Sequence, residues 1–150
     1  MPPELACEFL ATFSRMEYAL KSTRYADGND KRIDPAWDQF ANDIHEAFEK
    51  MAEPDLVEAK SYLIGYPPRK QTLAGNKVTF VDQKIDVKQK TTQQLLLMVR
   101  TVRNNLFHGG KYLPGGEQEE GRNNFLVKHA LTVLLACSKL ELDVRRSFDH

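Results

Sequence analysis

A chain of 150 residues has the length of one ordinary domain, and its 41% apolar and 28% charged residues exclude a disordered or collagen-like polypeptide. The 21 basic and 21 acidic residues cancel, which excludes a general electrostatic attraction to nucleic acid or membranes. Cys7 and Cys137 form no Cys-x-x-Cys pair, so we expect a reduced, cytoplasmic protein without a structural zinc site. We also expect no signal peptide and no transmembrane segment, since the N-terminus lacks a basic region and no apolar run is long enough.

The N-terminal third of the chain predicts two helices. Apolar residues recur at three- and four-residue steps from Leu5 onwards, which predicts a first helix that ends at about Tyr25. Residues 27–30 are typical of a turn, and Asp34-Pro35 then resembles a helix N-cap followed by proline at the first helical position. One face of the second helix carries Trp37, Phe40, Ile44 and Phe48.

The middle of the chain departs from this helical pattern. Glu53-Pro54 interrupts the second helix, and residues 56–64 predict a short third helix that ends at the Gly-Tyr-Pro-Pro segment. Between Lys70 and Val81, apolar residues flank Ala74-Gly75-Asn76, which favours a short β-hairpin over a helix.

The C-terminal half predicts two further helices. The strongest helical pattern spans residues 92–107, where Leu95, Val99, Val102 and Leu106 share one face. Gly109-Gly110 predicts its C-terminus, with His108 at or just past the last turn. A final long helix is predicted from about Gln118 or Asn123 to Arg146. The predicted fold is therefore all-α, an up-and-down bundle of four to five helices with a short β-hairpin near 70–81, in a single domain of residues 1–150.

A basic segment coincides with the strongest helix. Residues 87–116 contain no acidic residue but five basic ones, which are Lys88, Lys90, Arg100, Arg103 and Lys111. A local basic face can bind phosphates even on a neutral protein, although such a segment is also compatible with a solvated surface that binds nothing.

A short motif lies at the predicted end of this helix. Arg103 is followed directly by Asn104 and, five positions along, by His108. This arrangement resembles the signature of the HEPN superfamily, whose members are compact helical bundles with an arginine, a polar residue and a histidine at a helix end. Residues 106–111 also look like the prokaryotic HEPN branch often called Apea-like. The resemblance is close over residues 92–112 and loose over the rest of the chain.

The resemblance implies a metal-independent endoribonuclease that acts as a homodimer and needs no cofactor, with arginine and histidine of both subunits lining one cleft. Attack by the ribose 2′-oxygen would leave a 2′,3′-cyclic phosphate and a 5′-hydroxyl, so DNA should resist cleavage.

The residue types in the motif suit this chemistry. Histidine moves protons near neutral pH, which is the role expected of His108. A guanidinium engages two phosphate oxygens and stays charged, which is the role expected of Arg103. The Asn104 amide both donates and accepts, so it is expected to hold the imidazole or a phosphate oxygen in place. The predicted RNA-binding residues are Lys111, Tyr112 and Arg100.

Helix geometry bears on how the motif is completed. A separation of five residues corresponds to about 140° around an ideal helix, so Arg103 and His108 of one chain would not meet on a continuous helical face. Either the Gly-Gly segment redirects His108 or a second subunit completes the site.

A second set of residues has the same order of residue types, with six residues between the arginine and the histidine. Arg122-Asn123 is followed by His129, but this histidine lies in the middle of a predicted helix, where a surface or packing role is commoner. We therefore favour Arg103 and His108 over this set.

Two other groups of polar residues lie on predicted helices. His45 and Glu49 stand four residues apart and could share a metal, but no further ligand is evident and a solvated helix face is the simpler interpretation. Glu17 belongs to a set of surface charges on the first helix and is a weaker candidate for the cleft, because HEPN bundles place this helix nearby.

Three functional hypotheses follow. The first is a toxin-like or defence-related ribonuclease that acts on RNA in the cytoplasm and is restrained by an antitoxin, another regulatory protein or assembly. The second is a non-catalytic HEPN module that binds nucleotides or a protein. The third is a helical dimerisation domain in which the motif packs the interface.

Overall fold

The structure is a computed structural model that describes residues 2–107 and 122–150. The described helices are α1 (Pro3–Lys21), α2 (Trp37–Lys50), α3 (Pro54–Gly65), α4 (Thr91–Phe107), α5 (Arg122–Cys137) and α6 (Leu142–Asp149). The strands are β1 (Ala26–Gly28), β2 (Ile33–Pro35), β3 (Lys70–Ala74) and β4 (Lys77–Val81). They form two separate antiparallel hairpins, β1–β2 and β3–β4. The mainly helical class is confirmed, and none of the helices described here has the length and hydrophobicity to span a bilayer.

Helix α5 lies at the centre of the packing. It contacts α1, α3 and α4, and α4 also packs against α2. Buried residues occur around most of the circumference of α5, as expected for a helix with neighbours on several sides. By contrast, α4 buries Val99, Val102 and Leu106 on one face and leaves Asn104 exposed on another. The core thus fixes α4 from one side and leaves its polar face available for a site.

The β1–β2 hairpin corrects the predicted start of the second helix. Asp34 and Pro35 belong to β2, and the helix begins at Trp37 instead. The Ala36 N–H donates to the Tyr25 carbonyl at 2.7 Å, which ties the end of the hairpin to its beginning. Gly28 has φ +134°, and a Cβ there would lie 2.1 Å from the Arg32 carbonyl oxygen, so the turn requires glycine.

The predicted final helix is also corrected, because it consists of two helices. Helix α5 ends at Cys137, and α6 begins at Leu142. The Glu141 side chain accepts from the Asp143 N–H at 2.9 Å and so caps the new helix. The alternative start at about Gln118 lies outside the described residues, and six described helices replace the four to five predicted.

The predicted hairpin near 70–81 is confirmed, with the turn at Gly75, whose φ is +62°. Its base is attached to α4 by two hydrogen bonds. Asn105 Nδ2 donates to the Arg69 carbonyl at 2.7 Å, and the Thr101 hydroxyl donates to Gln83 Oε1 at 2.8 Å. Asn105 and Thr101 are both buried, so these bonds hold the hairpin beside the C-terminal half of α4.

Candidate functional site

The polar face of α4 is produced by helical spacing. Arg100, Arg103, Asn104 and Phe107 follow one another at steps of three, one and three residues, which places them along one side of the helix. Arg100 and Arg103 are half-buried, whereas Asn104 and Phe107 are exposed. The three predicted site residues on α4 therefore lie together at its C-terminal end.

Arg103 contacts two aromatic rings and a neighbouring amide. The guanidinium carbon lies 4.5 Å from the centre of the Phe107 ring and 5.6 Å from that of Phe13. Its Nη1 donates to Asn104 Oδ1 at 3.1 Å. Cation–π contacts and this hydrogen bond restrict the side chain while the guanidinium keeps its charge. Asn104 thus contacts Arg103, while its predicted contact with the imidazole of His108 or with a phosphate oxygen stays a prediction.

Arg100 is oriented in a similar way, with its guanidinium carbon 5.9 Å from the Trp37 ring. Trp37 is 5% exposed and stacks on Phe13, with ring centres 5.4 Å apart. The two arginines of α4 therefore rest on neighbouring aromatic rings contributed by α1 and α2.

Both arginines line a cleft of about 340 Å³, which we call the α1–α4 cleft. Its lining residues come from α1, the β1–β2 hairpin, α2 and α4. They are Phe13, Glu17, Arg32, Asp34, Pro35, Trp37, Arg100, Arg103 and Asn104. The cleft is thus a polar pocket with an aromatic wall and three guanidinium groups.

Two carboxylates balance part of this positive charge. Arg32 Nε lies 2.8 Å from Asp34 Oδ2, so these two form an ion pair at the edge of the cleft. Glu17, half-buried on α1, also lines the cleft. Glu17 therefore lies in the same cleft as Arg103, and its functional role stays a prediction.

The remaining predicted site residues, His108, Lys111 and Tyr112, lie outside the described residues, as does Gly109-Gly110. His108 directly follows Phe107, the last residue of α4 and the ring on which Arg103 rests. The structure therefore brings together Arg100, Arg103 and Asn104, while the position of His108 stays a prediction from sequence.

Within the described part of the basic segment, residues 87–107, the cations are not grouped in one patch. Lys90 directly precedes the helix, and its ammonium donates to Asn42 Oδ1. At 1.5 Å per residue, Lys90 and Arg103 are separated by about 20 Å along the axis. Lys88 and Lys90 therefore do not contribute to the α1–α4 cleft.

The second candidate set has structural roles. Arg122 Nη2 donates to the Pro67 carbonyl at 2.9 Å, which joins α5 to the segment after α3. His129 is 5% exposed, and its ring centre lies 4.8 Å from that of Tyr62. These contacts make His129 a packing residue within the bundle.

The environment of His129 predicts a pH-dependent stability. Burial lowers the pKa of His129, whereas an unfolded histidine titrates near 6.5. Below about pH 6.5 the unfolded chain therefore binds a proton that the folded chain resists, so the free energy of unfolding decreases as the pH falls.

Urea unfolding of the wild type at pH 7.5 and pH 5 should show this loss of stability, and His129→Phe should reduce the loss. His150→Gln, at an exposed histidine, is the control. The same pH dependence in His129→Phe and the wild type would contradict this explanation.

His45 contacts side chains on two helices, α2 and α4. Its Nδ1 lies 2.8 Å from the Thr92 hydroxyl and 3.9 Å from Glu49 Oε1. Within residues 2–107 and 122–150, no three side chains of His, Cys, Asp or Glu are grouped as metal ligands would be. The contact between His45 and Thr92 joins α2 to the start of α4.

One aromatic contact of Arg103 and several residues of the cleft were not predicted from the sequence. The contact between Arg103 and the Phe107 ring is indicated by helical spacing alone, because the two residues are four positions apart. Phe13, Trp37 and the Arg32–Asp34 pair come from distant segments, and no short-range pattern links them to α4.

Comparison with protein-family models, with curated proteins and with solved structures finds no match to this chain.

Proposed function

We propose that this protein is a HEPN-type, metal-independent endoribonuclease that acts as a homodimer, with Arg103 and His108 as its catalytic residues. The observation that supports it best is the restrained guanidinium of Arg103, which lies in an open cleft five residues before His108. An arginine fixed in this way is suited to a phosphate whose charge increases during reaction.

The proposed reaction is a transphosphorylation within the RNA. The 2′-oxygen attacks the adjacent phosphorus and loses its proton, while the bond from phosphorus to the 5′-oxygen breaks and that oxygen gains a proton. His108 transfers one or both protons, and Arg103 binds the phosphate oxygens as their negative charge increases. The products are a 2′,3′-cyclic phosphate and a 5′-hydroxyl. Asn104 acts as a positioning residue through its hydrogen bond to Arg103.

The dimer is part of the proposal because the HEPN resemblance implies it, and helix geometry is compatible with it. A continuation of α4 to residue 108 would place His108 about 140° around the axis from Arg103, so the partner subunit would supply the missing half of the chemistry. A ribonuclease of this kind needs restraint in the cell, for which we propose an antitoxin or another regulatory protein.

One observation favours the alternative, a non-catalytic HEPN module that binds nucleotides or a protein. The α1–α4 cleft contains arginines suited to phosphate, and among the described residues that line it there is no histidine. Such a cleft would bind an anion whether or not His108 completes it.

Incubating the wild type with single-stranded RNA in EDTA separates these functions. We expect cleavage at the same rate with and without EDTA, new 5′ ends that accept phosphate from a polynucleotide kinase without prior dephosphorylation, and no cleavage of DNA of the same sequence. Cleavage that requires a divalent cation would contradict the mechanism. Intact RNA that nevertheless binds the protein would favour the alternative.

A further inference from the structure

A second cleft opens on the other side of Arg100 and Asn104, between α4 and the β3–β4 hairpin. It has a volume of about 400 Å³, and we call it the hairpin cleft. Its lining residues are mostly amides and cations. They are Lys70, Gln71, Gln83, Leu97, Arg100, Thr101, Asn104 and Asn105.

The walls of this cleft are fixed by internal hydrogen bonds. Asn105 donates to the Arg69 carbonyl and Thr101 to Gln83, so α4 and the hairpin are joined at the floor. The cleft therefore has a defined shape before any ligand arrives, which reduces the entropy lost on binding.

The groups nearer the solvent define the chemistry of a ligand. Lys70 and Asn104 are exposed, while Gln71 and Arg100 are half-buried. Among the described lining residues there is no carboxylate, and Leu97 is the single aliphatic side chain. Asp82, next to Gln83 in the chain, pairs with Arg69 at 3.2 Å and does not line the cleft. Cations and amides without carboxylates favour a ligand that is both anionic and rich in hydrogen-bonding groups.

The two clefts are adjacent because they share residues. Arg100 and Asn104 line both, and Arg103 lies in the α1–α4 cleft one helical turn beyond Arg100. A ligand with several phosphates along its backbone, bound by one phosphate at Arg103, can therefore continue past Arg100 into the hairpin cleft.

We infer that the hairpin cleft is a nucleotide subsite that takes one unpaired residue of single-stranded RNA, next to the phosphate held by Arg103. This inference rests on the proposed ribonuclease function and specifies its substrate class. Lys70 and Arg100 bind the backbone phosphate, and the amides of Gln71 and Asn104 bind the edge of the base. The Watson–Crick edge of a base is accessible in single strands and loops but is occupied by pairing in an RNA helix, so single-stranded RNA is the preferred ligand.

The test separates binding from cleavage by measuring both. Fluorescence anisotropy with labelled single-stranded RNA gives the Kd of variants made in a His108→Ala background, and the same RNA is incubated with the wild type to detect cleavage. Lys70→Ala removes a cation from the cleft, and Lys77→Ala removes one from β4 of the same hairpin, where it is exposed and outside the cleft.

We expect Lys70→Ala to raise the Kd about tenfold and to reduce the slope of log Kd against log salt concentration by about one, with Lys77→Ala unchanged. Gln71→Ala should reduce the preference among homopolymeric RNAs by about tenfold. The His108→Ala parent should bind duplex RNA more weakly than the single strand.

The inference would be overturned if Lys70→Ala and Gln71→Ala bound RNA like Lys77→Ala, even if the wild type cleaved it. Cleavage by the wild type would then support the ribonuclease proposal without the nucleotide subsite. Conversely, loss of binding in Lys70→Ala, with no cleavage by the wild type, would support the subsite and reject catalysis. Absence of RNA binding by the parent would overturn the inference as well.

Discussion

Replacing His108 with alanine is expected to reduce RNA cleavage by about 10²- to 10⁴-fold, the range typical of losing a group that transfers protons. Histidine is the side chain whose ordinary pKa lies near neutrality, and the arginines of the α1–α4 cleft stay charged at all relevant pH values. The described residues that line the cleft include no histidine. Single-turnover cleavage of a labelled single-stranded RNA at pH 7 measures the effect.

The matched control for this variant is His150→Ala, which removes an exposed histidine at the end of α6. It should cleave at the wild-type rate. Equal cleavage by His108→Ala and the wild type would contradict the assignment and would indicate a contaminating nuclease or another group. Sedimentation velocity should show that both variants keep the oligomeric state of the wild type, so that a lost dimer is not mistaken for lost chemistry.

The elements with long, regular patterns were predicted from the sequence. Helix α1 is an example, since Phe9, Phe13 and Met16 recur at helical spacing and are buried as that spacing requires. The β3–β4 hairpin was predicted from its turn, because Gly75 readily adopts a positive φ between apolar residues. In both segments, local preference and tertiary packing favour the same structure.

Sequence reasoning failed where a local signal had two structural meanings. Asp34-Pro35 suits a helix start, but proline is also tolerated in an edge strand, and in the folded chain these residues pair with β1. The apolar residues of α5 and α6 are in phase with one long helix, and the capping bond of Glu141 is a short-range contact that periodicity does not detect.

The motif itself shows how far the site could be predicted. Arg103-Asn104-Asn105 contains two consecutive asparagines with opposite environments, since Asn104 is exposed beside Arg103 and Asn105 is buried against the hairpin. Their identities alone do not separate these roles, which depend on the side of α4 that the core covers. The acidic and aromatic partners of the cleft come from α1, the first hairpin and α2, so only the folded chain brings them to Arg103.

Replacing Arg103 tests the other half of the proposed chemistry. Arg103→Ala should lower the rate of the cleavage step by about 10²- to 10³-fold, the usual cost of removing a fixed group that stabilises developing charge. Arg103→Lys keeps the charge but loses the planar pair of donors and the contacts with Phe13 and Phe107, so it should recover part of the rate. The order of rates, wild type above lysine above alanine, is measured at saturating RNA.

Arg145→Ala is the control for charge, because Arg145 is exposed on α6 and pairs weakly with Asp149 at 4.0 Å. It should leave the rate unchanged.

The fold should tolerate Arg103→Ala, since cation–π contacts at accessible sites contribute only about 0.5–1 kcal/mol. A folded Arg103→Ala dimer with full activity would contradict the role of the guanidinium. If Arg103→Ala instead lost RNA binding while the wild type left RNA intact, the cleft would be a binding site without catalysis. Comparing Arg103→Ala with the wild type in both cleavage and RNA binding therefore separates the ribonuclease from the nucleotide-binding module.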